Sequence, residues 1–532
     1  MSDPLQKMHC LIIDDFAFMR TSLKEMLRKS FQHPIDMVAN GAQALEAMEE
    51  RNYDVILCDY HLGDDLDGQQ LLEEARERQL LKAQSLFIII TAETSLPLVM
   101  SALEQRPDDY MAKPVTKEVL LHRLKKLALK KAKTSAIQQQ IQTKNYPHAL
   151  ELCTQQIEQE PFKNEELHKL EAEIHLKLGD LEKAGELYQL ALAERPLSWA
   201  RFGLAKIHYQ QQKYQQAYDL FTGLIKENRF YVEAIEWLAN CQLALEQPIE
   251  AQQTLEKATA LAPKNIQRQK KLAKTCHENQ DEDGAISALK ACVRYGKHSF
   301  FRSSQEYTQL AEIYFGRKQQ NKAMLLLKEA RKIFKTDSKQ LLNTLLLEAE
   351  LQRQEKHFLD AKRLLNNMLR MIKKTDTYFE QQTLLGIATL CYHLKEKSSG
   401  LEVLKKIIEN NHDNRQVLET INQLLESLSE HPSKPIILEH SQHISQRNDE
   451  GVALFESGKL LQAQTYFLSL SEQIPFNRSI TINTIRIMIL GMKNNLVSRD
   501  VMKKTQQLLA RLNTIAPNEP QLPILQNALD TL

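Results

Sequence analysis

The sequence predicts an α/β domain built on a five-stranded parallel sheet, followed by a long all-α solenoid. Three observations carry that reading. Short apolar runs alternate with helical patterns at the start of the chain, the alternation stops near residue 128, and small residues then recur about every 34 positions. The repeats matter because 532 residues would otherwise suggest three or four ordinary domains.

Composition narrows the function classes first. Lys plus Arg number 69 against 68 Asp plus Glu, so no global field draws nucleic acid or an anionic membrane. The opening "MSDPLQKMHC" lacks a basic segment followed by an apolar core, and no apolar run approaches the roughly 18 residues that span a bilayer. A cytoplasmic protein without membrane insertion is expected. Cysteines 10, 58, 153, 241, 276, 292 and 391 form no CxxC pair and no metal-type cluster with histidine. Buried, reduced thiols are expected of them. Only 15 glycines in a chain rich in Leu, Ala, Gln, Glu and Lys point to long stretches of helix.

In the first domain, "HCLII", "DVILC" and "SLFIII" are apolar runs suited to strands buried on both faces. Two weaker strands are expected at "IDMVA" and "DDYMA". Between these lie "AFMRTSLKEMLRKS", "GAQALEAMEERN" and "DGQQLLEEARERQ", whose apolar residues recur at helical spacing. About five such alternations select a doubly wound sheet, whose functional residues gather at the carboxyl ends of the strands.

Those ends carry chemistry. The first strand runs into Asp14 and Asp15, the third into Asp59, the fourth into Thr91 and the fifth into Lys113. Crowded carboxylates repel unless a cation neutralises them, and an oxygen-only cluster suits Mg²⁺. A carboxylate beside Mg²⁺ can attack phosphorus, with a hydroxyl and an ammonium holding the phosphoryl oxygens. Asp59 is placed as that nucleophile.

"LIIDDFAFMR", "VILCDYHLG", "FIIITAE" and "DYMAKP" together resemble the receiver domain of bacterial two-component response regulators, the CheY-like proteins among them, over residues 9 to about 128. The resemblance implies a flavodoxin-like fold in which Asp59 accepts a phosphoryl group from a histidine kinase or phosphotransfer protein. It implies Asp15 as a direct Mg²⁺ ligand, Asp14 as a ligand through water, and the backbone carbonyl of His61 as a further ligand. It makes Thr91 and Lys113 the phosphate-sensing pair, and Tyr110 the switch aromatic that turns inward when Thr91 moves toward the phosphate. Ala92 leaves the phosphate open to incoming groups. The loop "HLGDDLDG" departs from the family by one extra residue and by Asp64, Asp65 and Asp67, which bears on donor choice and phosphate lifetime.

Beyond residue 128, "TKEVLLHRLKKLALKKAKTSAIQQQIQTKN" has no glycine or proline to end a helix, so the last receiver helix is expected to run on or break only briefly. Its cations, Arg123, Lys125, Lys126, Lys130, Lys131 and Lys133, come without interleaved aromatics or a recognition helix, which weighs against nucleic acid. From there, Ala149, Ala184, Ala217, Ala251, Ala285, Ala323, Ala361, Gly400 and Ala463 recur in register. Twelve residues before them lie Ala172, Ala205, Ala239, Ala273, Ala311, Ala349, Ala388 and Gly451, and prolines 161, 196, 263 and 475 close several units. Small residues at paired positions let antiparallel helices approach, with Tyr188, Phe221, Leu255, Leu289, Leu327, Leu365 and Phe467 filling the seam. This pattern resembles the tetratricopeptide repeat, and implies a superhelical solenoid of about eight helical hairpins over 129–430. A break with a kink or subdomain boundary is expected at 428–442, with a further repeat and capping helices over 431–532.

The repeats carry no Ser-His-Asp set, phosphate loop or HExxH, and His168, His175 and His208 read as ordinary helix residues. No enzyme is expected beyond the receiver's own phosphotransfer and dephosphorylation. Trp199, Phe202, Lys206 and Tyr209 share one helical face and are either groove anchors for a protein partner or packing between repeats, with packing favoured. The expected output is phosphorylation-controlled protein binding. The repeats acting as a phosphatase or inhibitor of another signalling protein, or the receiver as a phosphate sink on a passive scaffold, stay open, as does pairing into a homodimer.

Overall fold

A computed structural model describes residues 4–63, 66–159, 165–374, 377–494 and 499–531. The chain divides after Ile313 into two compact units.

The first unit opens with β1 (Cys10–Ile13), α1 (Ala17–Leu27), β2 (Asp36–Val38), α2 (Gly41–Glu50), β3 (Val55–Cys58), α3 (Gly68–Glu77), β4 (Leu86–Thr91), α4 (Leu96–Glu104), β5 (Asp109–Ala112) and α5 (Lys117–Gln142). The strands form one parallel sheet in the order β2-β1-β3-β4-β5. Every residue of β1, β3 and β4 is buried because helices cover both faces. Side chains alternate between them. Ile12, Leu57 and Ile88 meet Leu27 of α1 and Leu124 of α5, while Ile13, Ile56 and Ile89 meet Met48 of α2 and Leu71 of α3. The helix α4, which the sequence pattern does not single out, is apolar almost all round, and Pro97 fits its first turn.

α5 is continuous for 26 residues from a Thr116 cap, so position 128 falls inside it. Its first half supplies Leu120, Leu124 and Ala128 to the sheet core. Its second half packs Ile137 against Ala149, Cys153 and Leu167, making it the first helix of the first hairpin. The hairpins continue through α6 (Tyr146–Gln159), α7 (Glu165–Leu178), α8 (Leu181–Glu194), α9 (Ser198–Gln210), α10 (Tyr214–Glu227), α11 (Val232–Ala244), α12 (Pro248–Leu261), α13 (Ile266–Glu278), α14 (Glu282–Gly296) and α15 (Ser304–Gly316). The small residues read from the repeat are buried at the helix crossings, as are Tyr188, Phe221, Leu255 and Leu289 in the seam. Gly203 shows why size matters there, since a Cβ would lie 2.2 Å from the Tyr188 ring. Pro196 and Pro263 follow the last turns of α8 and α12; Pro161 lies outside the described residues.

The second unit, Tyr314–Leu532, continues with helices from Gln320–Ile333 to Leu522–Asp530. One apolar core runs from Leu342 to Ile487 through the region where a break was expected. There the correction is local. Ser429 takes a left-handed turn at φ 57°, and Ser433–Glu456 is then a single helix with Pro435 in its first turn. Proline at that position starts a helix rather than kinking it, because first-turn N–H groups have no intrahelical acceptor. The final helices, Arg478–Lys493, Arg499–Ile515 and Leu522–Asp530, close around their own cluster of Ile485, Met488, Leu512 and Leu525.

All seven cysteines are free and buried. Burial pushes their thiols up, to about 12 in Cys153, Cys241, Cys276, Cys292 and Cys391.

Candidate functional site

Parallel pairing brings the strand ends to one edge. Ile13 pairs with Cys58 and Thr91 with Ala112, and the Asp59 N–H donates to the Ile13 carbonyl at 2.8 Å. Asp14 and Asp59 are buried to 1% and 8% exposure, Asp15 is exposed, and carboxylate oxygens of the three lie within 4.8 Å of one another. Lys113 reaches in from the end of β5. Its Nζ donates to Asp14 Oδ2 at 2.8 Å and to Asp59 Oδ2 at 2.7 Å. Burial opposes the Lys113 charge, but those two hydrogen bonds and the carboxylate charges outweigh it and leave its pKa raised. The remaining oxygens are held too: Tyr60 N–H donates to Asp59 Oδ1 at 2.6 Å, and Phe16 N–H to Asp14 Oδ1 at 2.9 Å.

Three carboxylates around one point, all hard oxygen donors, fit a Mg²⁺ ion. The exposed His61 stands two residues after Asp59 and pairs its Nε2 with Glu93 Oε2 at 3.1 Å.

Thr91 is buried, and its Oγ1 accepts from the Glu93 N–H at 3.1 Å, which leaves its proton for another acceptor. Beside it Ala92 is exposed. Half-buried Tyr110 donates its hydroxyl to the Glu93 carbonyl at 3.2 Å. Burial, then the charges of Glu93 and Asp59, push that phenol up to about 12. Glu93 is the residue sequence reasoning missed. Its side chain accepts from the Ser95 N–H at 2.7 Å and from His61, which hold its carboxyl down to about 2. Four bonds through one residue thus tie together His61, Thr91, Tyr110 and the start of α4.

Of the acids in the loop after Asp59, Asp67 falls among the described residues. Asp64 and Asp65 lie outside the described residues. Asp67 caps α3 in a reciprocal capping box with Gln70, and it also pairs with Lys264. The cations of α5 find acids as well: Arg123 pairs with Asp109, Lys131 with Asp108 and Lys130 with Glu166.

The four aromatic-face residues of α9 are engaged between repeats. Phe202 is buried, edge-on to Phe221 at 5.6 Å and stacked on Tyr231 at 5.3 Å. Tyr209 meets Trp237 at 5.3 Å, the Lys206 ammonium sits 5.3 Å from the same indole, and Trp199 meets Tyr188 at 5.9 Å and donates to Glu165. His175 is buried beside Asp180, with 3.3 Å between Nδ1 and Oδ2.

Two known families match parts of the chain. Residues 10–125 match the family described as response regulator receiver domain, and residues 208–276 match the tetratricopeptide repeat. The chemotaxis protein CheY of Bacillus subtilis is 30% identical over 116 residues, covering 22% of this chain and 93% of that protein. The chain belongs to the response regulator family. CheY of Pseudomonas aeruginosa is 28% identical over 120 residues, which cover 23% of this regulator and 95% of that protein. The crystal structure of YrrB, described as a TPR protein with an unusual peptide-binding site, is 20% identical and covers 34% of the regulator and 91% of YrrB at a TM-score of 0.28. On the family matches and the CheY relatives, the regulator carries a CheY-like receiver joined to tetratricopeptide repeats. Among its described residues no helix is long and apolar enough to cross a membrane.

Proposed function

We propose that this response regulator takes a phosphoryl group on Asp59 from a histidine kinase or phosphotransfer protein, and that its output is cytoplasmic protein binding by the repeats. The observation that carries the reading is the constellation of buried Asp14 and Asp59 with half-buried Lys113, joined by hydrogen bonds of 2.8 and 2.7 Å through one ammonium. An Asp59 carboxylate oxygen forms the new O–P bond as the donor's N–P bond breaks. When bound, Mg²⁺ neutralises and orients the phosphoryl oxygens; Asp14, Asp15, Asp59 and the His61 carbonyl are the groups that would hold it. Lys113 then follows the charge to the phosphoryl group, and the Thr91 hydroxyl donates a hydrogen bond to a second phosphoryl oxygen. Thr91 and Tyr110 both bond to Glu93, so a shift of Thr91 is felt at once by the switch tyrosine and by α4.

Full-length protein incubated with acetyl phosphate and Mg²⁺ should gain one alkali-labile, hydroxylamine-sensitive phosphoryl group, and Asp59→Asn should gain none. Protein captured from native lysate with and without beryllofluoride should differ in bound partner for wild type only. Undiminished labelling of Asp59→Asn would reject the assignment of the acceptor, and a partner indifferent to beryllofluoride would reject phosphorylation-gated binding.

A further inference from the structure

The repeats reach back to the acceptor site through the turn between α12 and α13. Lys264, just after Pro263, places its Nζ 2.6 Å from Asp67 Oδ2 and 4.6 Å from the centre of the Tyr60 ring. Both targets flank the loop that follows Asp59: Tyr60 is the next residue, and Asp67 caps α3 at the loop's far end. The loop is clamped tightly there. The Gly68 N–H donates to the Tyr60 carbonyl at 2.8 Å, and a Cβ on Gly68 would lie 2.4 Å from the Asp59 carbonyl oxygen. Side-chain exposures of only 15% and 17% keep the Lys264–Asp67 pair little screened by solvent.

The same turn and the helices around it hold α4. Met100 lies among Val232, Ile235, Ala258 and Ala262, and the Lys264 N–H donates to Ser101 Oγ. Arg268, 1% exposed, joins Glu104 of α4 to Glu236 of α11. With α4 held in this position, the Tyr110 hydroxyl is bonded to the Glu93 carbonyl just ahead of it.

We propose that Lys264 is a positioning residue for the phosphoacceptor site, contributed by the repeats, and that docking of the repeats on α3 and α4 favours the phosphorylated receiver. The proposal rests on the reading of Asp59 as acceptor. Charge sets its direction: a cation on Asp67 relieves an acidic neighbourhood that must accept a dianionic phosphoryl group. By linkage, whatever the repeats do for the acceptor the acceptor does for docking, so a partner that pries this turn away would lower the receiver's affinity for beryllofluoride.

The test is calorimetric titration of full-length protein with beryllofluoride at fixed Mg²⁺, with thermal unfolding followed in parallel. Lys264→Gln should bind beryllofluoride about fivefold more weakly or worse, and Lys264→Arg should restore most of the affinity. Glu104→Gln, which loosens α4 without touching the loop, should weaken binding in the same direction. It decides the matter should Lys264→Gln fail to fold. Affinity unchanged or raised in the variants overturns the proposal, as does a loss that Lys264→Arg does not repair, because packing alone would then explain it. Wild type that binds no beryllofluoride, or Asp59→Asn that binds as well as wild type, removes the acceptor reading itself, an outcome distinct from a null effect at Lys264.

Discussion

Glu93 links the Thr91 hydroxyl to Tyr110, and its protonation has a pH signature. Its folded pKa, about 2, lies below the ordinary 4.5 because the Ser95 N–H and His61 stabilise the carboxylate. A depressed pKa contributes stability that is present in full above about pH 4.5 and is lost as pH falls through about 2. The stability gap between wild type and Glu93→Gln, measured by urea unfolding from pH 6 downward, should therefore shrink toward acid; a gap independent of pH would contradict the assignment. Asp14, Asp15, Asp59, Thr91 and Lys113 were legible in the sequence because each ends an apolar run, and a parallel sheet places such ends together. Glu93 and Lys264 were not. Glu93 acts through a loop conformation, and Lys264 meets Asp67 across 197 positions of chain, a separation no local pattern encodes.

Among the elements, the repeat turns hold a repeated cost. Lys144, Gln212, Glu246 and Gln280 all end first helices with φ between 58° and 61°, whereas Gly179 and, in the second unit, Gly458 lack a Cβ there. A left-handed residue with a side chain costs about 1 kcal/mol or more, part of which glycine returns as lost unfolded-state entropy. Gln212→Gly should therefore stabilise the first unit by up to about 1 kcal/mol, seen as a higher unfolding midpoint; a lower midpoint would show that the side chain earns its place by contacts. The hairpins themselves were readable from small residues at fixed spacing, since Ala149, Ala184, Ala217 and Ala251 are all fully buried. Less readable were α4, whose apolar surface shows no single face, and the prolines of 432–435, which looked like a break and serve as a helix start.

Across the whole molecule, the compact boundary after Ile313 does not coincide with the change of sequence pattern near 128. Pattern reports where local structure changes; compactness reports where side chains meet. α5 feeds two cores, and the repeats carry the partners of Asp67 and Glu104, so receiver and early hairpins fold into one body. Burial of every cysteine adds a practical consequence. Cys10 and Cys58 sit in the sheet, Cys153, Cys241, Cys276 and Cys292 in the first unit's hairpins, and Cys391 in the second unit. Alkylation is slow at a shielded thiol and fast at an unfolded one. A brief pulse of iodoacetamide at rising urea, followed by peptide mass mapping, would make the unmodified chain report the order in which its own parts open.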